Sequence, residues 1–341
     1  YAGEAQTAAA QGAAFLLAGG GLLLARAQAS IPVLLLDRFQ VFGIGGWGPL
    51  EAFVLAVYAA WITRLLLDIR RTARVRSWLW FGFSAAFFLQ LALGLAGLER
   101  FLMTGSLHLP VPALILAGPV FRGGGVFMLV LFSATVLLAG PAWCSHFCYI
   151  GAWDDRLSRL GGGAARAASA PVLRRWRVAG RLATLALTVG GALALRLAGV
   201  SAPVAVGLAA VFGVVGVGVM AWASRRAGAM IHCTTYCPIG LVANVLGRLS
   251  PWRLRLREEH GRRCTGCGAC TRRCRYGALT PQDLAAKRPG ISCTLCGDCL
   301  PACKDGLLRY EFPGLRPETA RAAFLVLAAA VHAVFLGVAR I

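Results

Sequence analysis

The sequence predicts a polytopic α-helical membrane protein of six to seven spans, built on an internal pseudo-repeat. A small cysteine-rich α+β module is inserted ahead of its last helix. Three observations predict this fold. Apolar runs of spanning length recur along a chain that is 58% hydrophobic and 14% charged, with mean hydropathy +0.67. The arginines gather in alternate loops between those runs. Twelve cysteines fall into two separately duplicated patterns, one at the ends of apolar runs and one in the polar stretch before the final run.

A helix crosses the bilayer core with about 20 apolar residues. Residues 50–67, 78–98, 123–139, 182–200, 203–223 and 322–339 each come close to that length. A seventh span is expected near the start, where 13–24 is apolar but is followed by Arg26 and then by the apolar 31–36. A cleaved signal peptide is the other reading of that stretch; it calls for basic residues ahead of the apolar run, and none is there. Four domains are expected: 1–49, an N-terminal membrane segment and periplasmic loop; 50–250, a transmembrane core; 251–316, the cysteine-rich domain; and 317–341, a C-terminal transmembrane helix.

Orientation follows from the arginines. Loop 68–77 carries Arg70, Arg71, Arg74 and Arg76, and loop 140–180 carries Arg156, Arg159, Arg166, Arg174, Arg175 and Arg177. Residues 201–202 are uncharged, and 99–122 holds Arg100 and Arg122 against Glu99. Basic loops stay in the cytoplasm, so the alternation puts the cysteine-rich module on the cytoplasmic side. Most of the formal net charge of +21 is this topological signal. The arginines are spread over several loops and form no single basic face, so no nucleic-acid partner is expected. Residues 161–171 are rich in glycine and alanine and read as a linker. Pro110, Pro112 and Pro119 make 101–122 a structured turn or re-entrant loop.

The module spells one pattern twice: Cys264-x2-Cys267-x2-Cys270-x3-Cys274 and Cys293-x2-Cys296-x2-Cys299-x3-Cys303. That spacing is the one bacterial ferredoxins use for two 4Fe-4S clusters, where three thiolates of a run hold one cluster and the fourth reaches to the other. The expected groups are Cys264, Cys267, Cys270 with Cys303, and Cys293, Cys296, Cys299 with Cys274. At the same offset of 29, Thr265, Gly268, Gly277 and Leu279 recur as Thr294, Gly297, Gly306 and Leu308. Zinc is the alternative occupant, although its four-cysteine sites usually pair two short knuckles across a longer gap. Trp252–Arg257 alternates with period two and reads as a strand, paired with residues 307–312.

The other four cysteines form a second duplication. Cys144-Ser-His-Phe-Cys148-Tyr-Ile150-Gly151 returns 89 residues later as Cys233-Thr-Thr-Tyr-Cys237-Pro-Ile239-Gly240, and Leu157, Arg159 and Leu160 return as Leu246, Arg248 and Leu249. On a helix, positions i and i+4 share a face, so two such motifs related by pseudo-symmetry could bring four thiolates to one point. Convergent thiolates select Fe–S, zinc or monovalent copper. Disulfides and inert buried thiols are the alternatives, the former disfavoured in a reducing compartment.

With these motifs in hand, the chain resembles the NapH/NosR-type membrane-bound polyferredoxins of periplasmic nitrate reductase and nitrous oxide reductase systems. The same core occurs in a methylamine-utilisation accessory protein and a copper-reducing oxidase-assembly protein. The resemblance covers residues 48–315. It implies a multi-pass protein of the bacterial inner membrane, with Cys144, Cys148, Cys233, Cys237 and the eight module cysteines as cluster or metal ligands. Three features depart from the family pattern. Tyr149 follows the first C-x3-C where only Cys237 has its Pro238, Arg275 and Lys304 stand where prolines follow the ferredoxin runs, and no flavin-attachment sequence is present. Those two cations, with Arg272 and Arg273, are expected to favour the reduced clusters.

The leading functional reading is a membrane-anchored conduit passing single electrons between the quinone pool or a cytoplasmic donor and a partner redox enzyme. The alternative is a maturation factor that reduces a metal such as copper, or a cofactor, of a partner respiratory enzyme; a redox-sensing receptor or transporter is the third. The face near Arg100 and His108 is where a quinol would be sought. His332 and Gln90 read as helix-packing groups, while His146 and His232 could tune thiolate sulfur or simply be solvated at the interface. The spans lack Asp, Glu or Lys in their interiors, which argues against a pump.

Overall fold

The computed structural model describes residues 3–40, 45–101, 109–161, 171–258 and 262–338. Residues 162–170 of the expected linker, together with His108 and His260, lie outside them. The elements, in chain order, are α1 (Glu4–Gln28), α2 (Gly48–Leu67), α3 (Thr72–Leu95), α4 (Leu114–Arg122), α5 (Phe127–Ala139), α6 (Tyr149–Leu160), α7 (Pro171–Leu197), α8 (Ala202–Ala227), α9 (Pro238–Leu246), β1 (Arg253–Leu256), α10 (Ala269–Arg273), α11 (Pro281–Ala285), β2 (Leu308–Glu311) and α12 (Pro317–Val338). Among the described residues, seven helical segments are long and apolar enough to cross a membrane, the first being Glu4–Gln28. That segment runs continuously through the interval where the apolar stretch begins late, because its alanine-rich first half is weakly hydropathic yet strongly helix-forming.

The chain forms two compact units, residues 1–108 with 315–341, and 109–314. These cut across the four sequence-based domains: α2 and α3 belong with the N- and C-terminal helices, and the rest of the core belongs with the cysteine-rich module. In the first unit, Ala10, Ala14 and Ala18 recur every fourth residue on α1 and pack against Ala56, Ala59, Val326, Ala330 and Ala333. Small side chains let helix backbones approach closely, which is how helices associate where lipid removes the hydrophobic drive. A Cβ on Gly337 would meet Leu22 and Leu55 at 2.7 and 2.8 Å. Arg321 closes the C-terminal end of α2, donating to the carbonyls of Leu67 and Leu66 at 2.9 Å each. His332 is buried, with its Nε2 3.1 Å from the Tyr58 hydroxyl. It is a packing group, as its isolation in the sequence suggests.

The second unit holds all twelve cysteines. Its spanning-length segments are Phe127–Phe147, Trp176–Leu197 and Ala202–Ala227. Large apolar side chains such as Leu187, Val211, Val214 and Trp222 are exposed along them, as in helices solvated by lipid. Between the expected proline turns, residues 114–122 form the short helix α4, which tolerates Pro119 inside it. β1 and β2 pair antiparallel in the register Arg253↔Glu311 to Leu256↔Leu308, matching the period-two reading. Trp252 packs at a tilt against Phe312, with 4.6 Å between ring centres, and donates its indole N–H to the Leu138 carbonyl at 2.9 Å.

Candidate metal centres

The two C-x3-C motifs have one backbone geometry, and it is not a continuous α-helix. In the first, α5 stops at Gly140, a short 3-10 turn follows, and Trp143–Phe147 winds as a single π-turn. Cys148 then turns extended, at φ −75° and ψ 114°, and caps α6. In the second, α8 stops at Gly228, His232–Tyr236 is the π-turn, and Cys237, at φ −76° and ψ 113°, caps α9. Each capping cysteine donates its N–H five residues back, Cys148 to Trp143 and Cys237 to His232, both at 2.9 Å. The i,i+4 face argument is therefore corrected: a π-turn and a helix break position the sulfurs. Pro238 explains the break at the second motif, since a residue before proline is driven out of the α region. Tyr149 permits the same break without one.

The break gives each capping thiol a helix start. The Cys148 sulfur faces the N–H groups of Ile150 and Gly151, and the Cys237 sulfur those of Ile239 and Gly240. Such donors favour a thiolate. Burial wins nonetheless, pushing Cys148 up to about 12 and Cys237 up to about 11. Gly240 has to be glycine for close approach, because a Cβ there would lie 2.9 Å from the Cys233 carbonyl.

The four cysteines of the two motifs are all buried and lie within electrostatic reach of one another. Cys233 is raised by burial first, then by Asp154, Cys237, Cys148 and Cys144. Asp154 of α6 ties the halves together by accepting the Cys233 N–H at 2.9 Å. Burial lifts the Asp154 carboxyl to about 6, against hydrogen bonds from Ser224 and Cys233, and its Oδ1 has no partner.

A buried cation faces this chamber. Arg181 of α7 is fully buried, in electrostatic reach of Cys144, Cys237 and Cys233. Its Nε donates to the Arg177 carbonyl at 2.7 Å, while Nη1 and Nη2 have no hydrogen-bond partner. Next to it, Gly180 lets α7 press against the second π-turn, since any Cβ there would overlap the Thr235 carbonyl. An unpaired buried guanidinium costs several kcal/mol, on the order of 3–5. A chamber of four thiols with an unsatisfied donor fork suits an anionic, acceptor-rich group, which a thiolate-held cluster is. Neither histidine joins this set directly. His146 is buried with Nδ1 2.9 Å from the Ser145 hydroxyl. Both nitrogens of His232 lack hydrogen-bond partners, its ring stands edge-on to Tyr236 at 4.8 Å, and burial lowers it to about 4.

In the cysteine-rich module the two runs keep their duplication at the level of the backbone. Gly268 and Gly297 are left-handed, as are Gly277 and Gly306. Gly266 (φ 66°) is answered by Leu295 (φ 56°), a strained position for a leucine. Leu295 is buried and reaches toward Gly140. The fourth cysteines also match: Cys274 Sγ accepts the Ala278 N–H at 3.2 Å, and Cys303 Sγ the Leu307 N–H at 3.4 Å. Cys270 is raised by burial and then by Cys303 and Cys264. Cys299 is raised by burial and then by Cys296, Cys274 and Cys293. Cys303 is thus within electrostatic reach of Cys270, and Cys274 within reach of Cys293 and Cys299. Among the described residues, no three His, Cys, Asp or Glu side chains are gathered closely enough to hold a single metal ion.

The module is tied to both C-x3-C motifs. Tyr276 donates to the Cys144 carbonyl at 2.9 Å, and Ser145 to the Thr294 carbonyl at 2.8 Å. Arg177 donates to the Gly277 carbonyl at 2.6 Å. Arg275 reaches the carbonyls of Ser158 and Gly228 at 2.7 and 3.0 Å, and its own carbonyl accepts the Met230 N–H at 3.1 Å. Arg159 bridges Asp155 and Asp298, at 2.8 Å to each. Sequence reasoning counted Arg159 and Arg177 as loop charge and did not single out Arg181. The signal available was the i,i+4 spacing of Arg177 and Arg181 on one helix face that also holds Gly180.

A family model described as 4Fe-4S binding domain matches residues 121–167 and 205–257. Those segments contain Cys144 with Cys148 and Cys233 with Cys237, the two halves of the 89-residue repeat. No curated protein and no solved structure matches the chain. The match and the paired geometry together place a 4Fe-4S binding domain in this chain.

Proposed function

We propose that this protein is a membrane-anchored electron conduit of the NapH/NosR polyferredoxin type, set in the bacterial inner membrane with its cysteine-rich module in the cytoplasm. It relays single electrons between the quinone pool or a cytoplasmic donor and a partner redox enzyme. Cys264, Cys267, Cys270 and Cys303 would hold one 4Fe-4S cluster, and Cys293, Cys296, Cys299 and Cys274 a second. Cys144, Cys148, Cys233 and Cys237 would hold a third. The observation that carries this reading is the doubled cysteine run, whose two loops repeat their left-handed glycines, together with the hydrogen bonds that join the module to the Cys144–Cys148 motif. When bound, the clusters supply reversible one-electron chemistry. The chain's own part is to bury them, aim N–H groups at their sulfurs and set the charge around them.

Anaerobically purified protein should contain acid-labile sulfide, and a water-soluble quinol should bleach its visible absorbance. Zinc without labile sulfide would end the electron-transfer reading. A second reading, a maturation factor that reduces copper for a partner enzyme, is favoured by the softness of four buried thiols. One copper per chain after purification would select it.

Topology gives a separate expectation. A reporter fused after Phe312 should read cytoplasmic, and one fused at Leu109 periplasmic, following the arginine asymmetry of the loops. The reverse pattern would put the module on the wrong side for a cytoplasmic partner.

A further inference from the structure

The two cysteine groups of the module differ in their surroundings. In the Cys274, Cys293, Cys296, Cys299 group, two cysteines are buried and Cys293 and Cys296 are half-buried, with none exposed. Thr294, Leu295, Asp298 and Leu300 around it are buried, and Ser145, Tyr276 and Arg159 fasten it to the first C-x3-C motif and α6. The Cys264, Cys267, Cys270, Cys303 group is turned outward. Cys267 is exposed, Cys264 and Cys303 are partly exposed, and an added Cβ on Gly266 would have nothing within 4 Å.

The outward group also has a distinctive charge. Residues 262–273 contain four arginines and no carboxylate, while Glu258, paired with Lys287, accepts the Cys264 N–H at 3.1 Å. Arg262, Arg263, Arg272 and Arg273 are exposed, as is Lys304 beside Cys303. Arg272 folds back over the cysteine loop, donating to the Cys267 carbonyl at 3.1 Å, and Arg262 reaches the Asp305 carbonyl at 3.4 Å. Charge at the entrance to an exposed redox centre steers diffusing partners and selects their sign.

We propose that the arginine-ringed edge over Cys267 is the docking site of a soluble, acidic electron-carrier protein. The clusters then act in a fixed order, with the four-cysteine chamber innermost, the Cys274 group between, and the Cys267 group as the port. The proposal rests on the iron–sulfur reading given above. A carrier protein fits better than an anionic lipid surface, because Arg272 folds onto the loop of the most exposed cysteine, Cys267, where an electron has to cross. One electron leaves the carrier's reduced cofactor and enters the oxidised port cluster, or the reverse. With flavodoxin as probe, the anionic flavin hydroquinone loses one electron to become the neutral semiquinone and the cluster gains it.

The test uses the full chain in phosphatidylcholine nanodiscs, mixed with reduced flavodoxin in a stopped-flow instrument while the cluster absorbance is followed. The parent rate should fall steeply as salt rises. Combined Arg263→Glu and Arg273→Glu substitution should cut the low-salt rate about tenfold or more and flatten the salt dependence. Arg263→Gln with Arg273→Gln should lie between. Dithionite, which needs no docking, should bleach all three proteins to the same extent, and that also reports intact clusters. Equal flavodoxin rates in parent and variants, with normal dithionite bleaching, would overturn the docking site alone. A variant effect confined to discs containing phosphatidylglycerol would assign the arginines to the lipid surface and overturn it too. Absence of any dithionite-bleachable absorbance in the parent would remove both the iron–sulfur reading and the port.

Discussion

Protein carrying both Cys148→Ala and Cys237→Ala should retain about eight iron atoms and eight acid-labile sulfides per chain, where the parent should hold about twelve of each. Dithionite should still reduce the two remaining clusters, whereas a quinol should no longer do so at a useful rate. The two cysteines are chosen because each caps a helix from outside the spanning segments and supplies one ligand from each half of the repeat. Alanine accepts the φ −75° backbone they share, so the break between π-turn and helix survives. What is lost locally is a sulfur acceptor for two helix-start N–H groups, a cost of about 1 kcal/mol per helix. The buried Tyr276–Cys144 and Ser145–Thr294 hydrogen bonds do not involve either side chain and keep the module in place. Iron content that does not change in the double variant would mean that the chamber is not a cluster site. Loss of all iron would mean that it is structural for the whole unit.

Much of this architecture was legible because it is written in short-range periodicities. Strand β1 follows from the Trp252–Arg257 alternation, and its partner from the ferredoxin-like spacing around it. The matching loop shapes of the module, with Gly268 and Gly277 answered by Gly297 and Gly306, follow from the doubled cysteine run, since a 29-residue repeat of turns and cysteines dictates the same backbone twice. The equivalence of the two C-x3-C motifs was readable from the 89-residue repeat; their shape was not. A π-turn depends on what the wider ring of backbone packs against, here Gly180 pressed on the Thr235 carbonyl, and Gly180 is remote in sequence from both motifs. Asp154 was hidden for the same reason: an acid at mid-helix in α6 looks like a surface charge until the Cys233 N–H is found against it. The partition into two units was also illegible, because alanine and glycine packing between α1, α2 and α12 leaves no mark in hydropathy.

Arg181→Leu should have opposite effects on the empty and the loaded protein. The side chain is fully buried with both terminal nitrogens unpartnered, and Cys144, Cys233 and Cys237 are the charges in reach. In protein stripped of iron, those thiols are buried, and Cys233 and Cys237, raised by burial, hold their protons, so the guanidinium lacks a partner of opposite charge in a poorly solvating interior. Removing it should raise the unfolding midpoint. With an anionic cluster in place the guanidinium has a partner of opposite charge, and removing it should lower the midpoint by the equivalent of about 3–5 kcal/mol, the usual cost of breaking a buried charge pair. The cluster potential should move in a direction fixed by the same charge. Reduction adds a negative charge beside Arg181, so losing the cation disfavours the reduced state and shifts the midpoint potential negative. The shift should reach at least about 59 mV, one decade in a one-electron equilibrium. Arg181→Lys keeps the charge but not the planar fork, and should recover most of the potential while recovering less of the stability. Redox titration of the electron paramagnetic resonance signals, with thermal melts before and after chelation, reads all of these. A potential unmoved in Arg181→Leu, or a melt displaced the same way in empty and loaded protein, would show that Arg181 does not serve the four-cysteine centre.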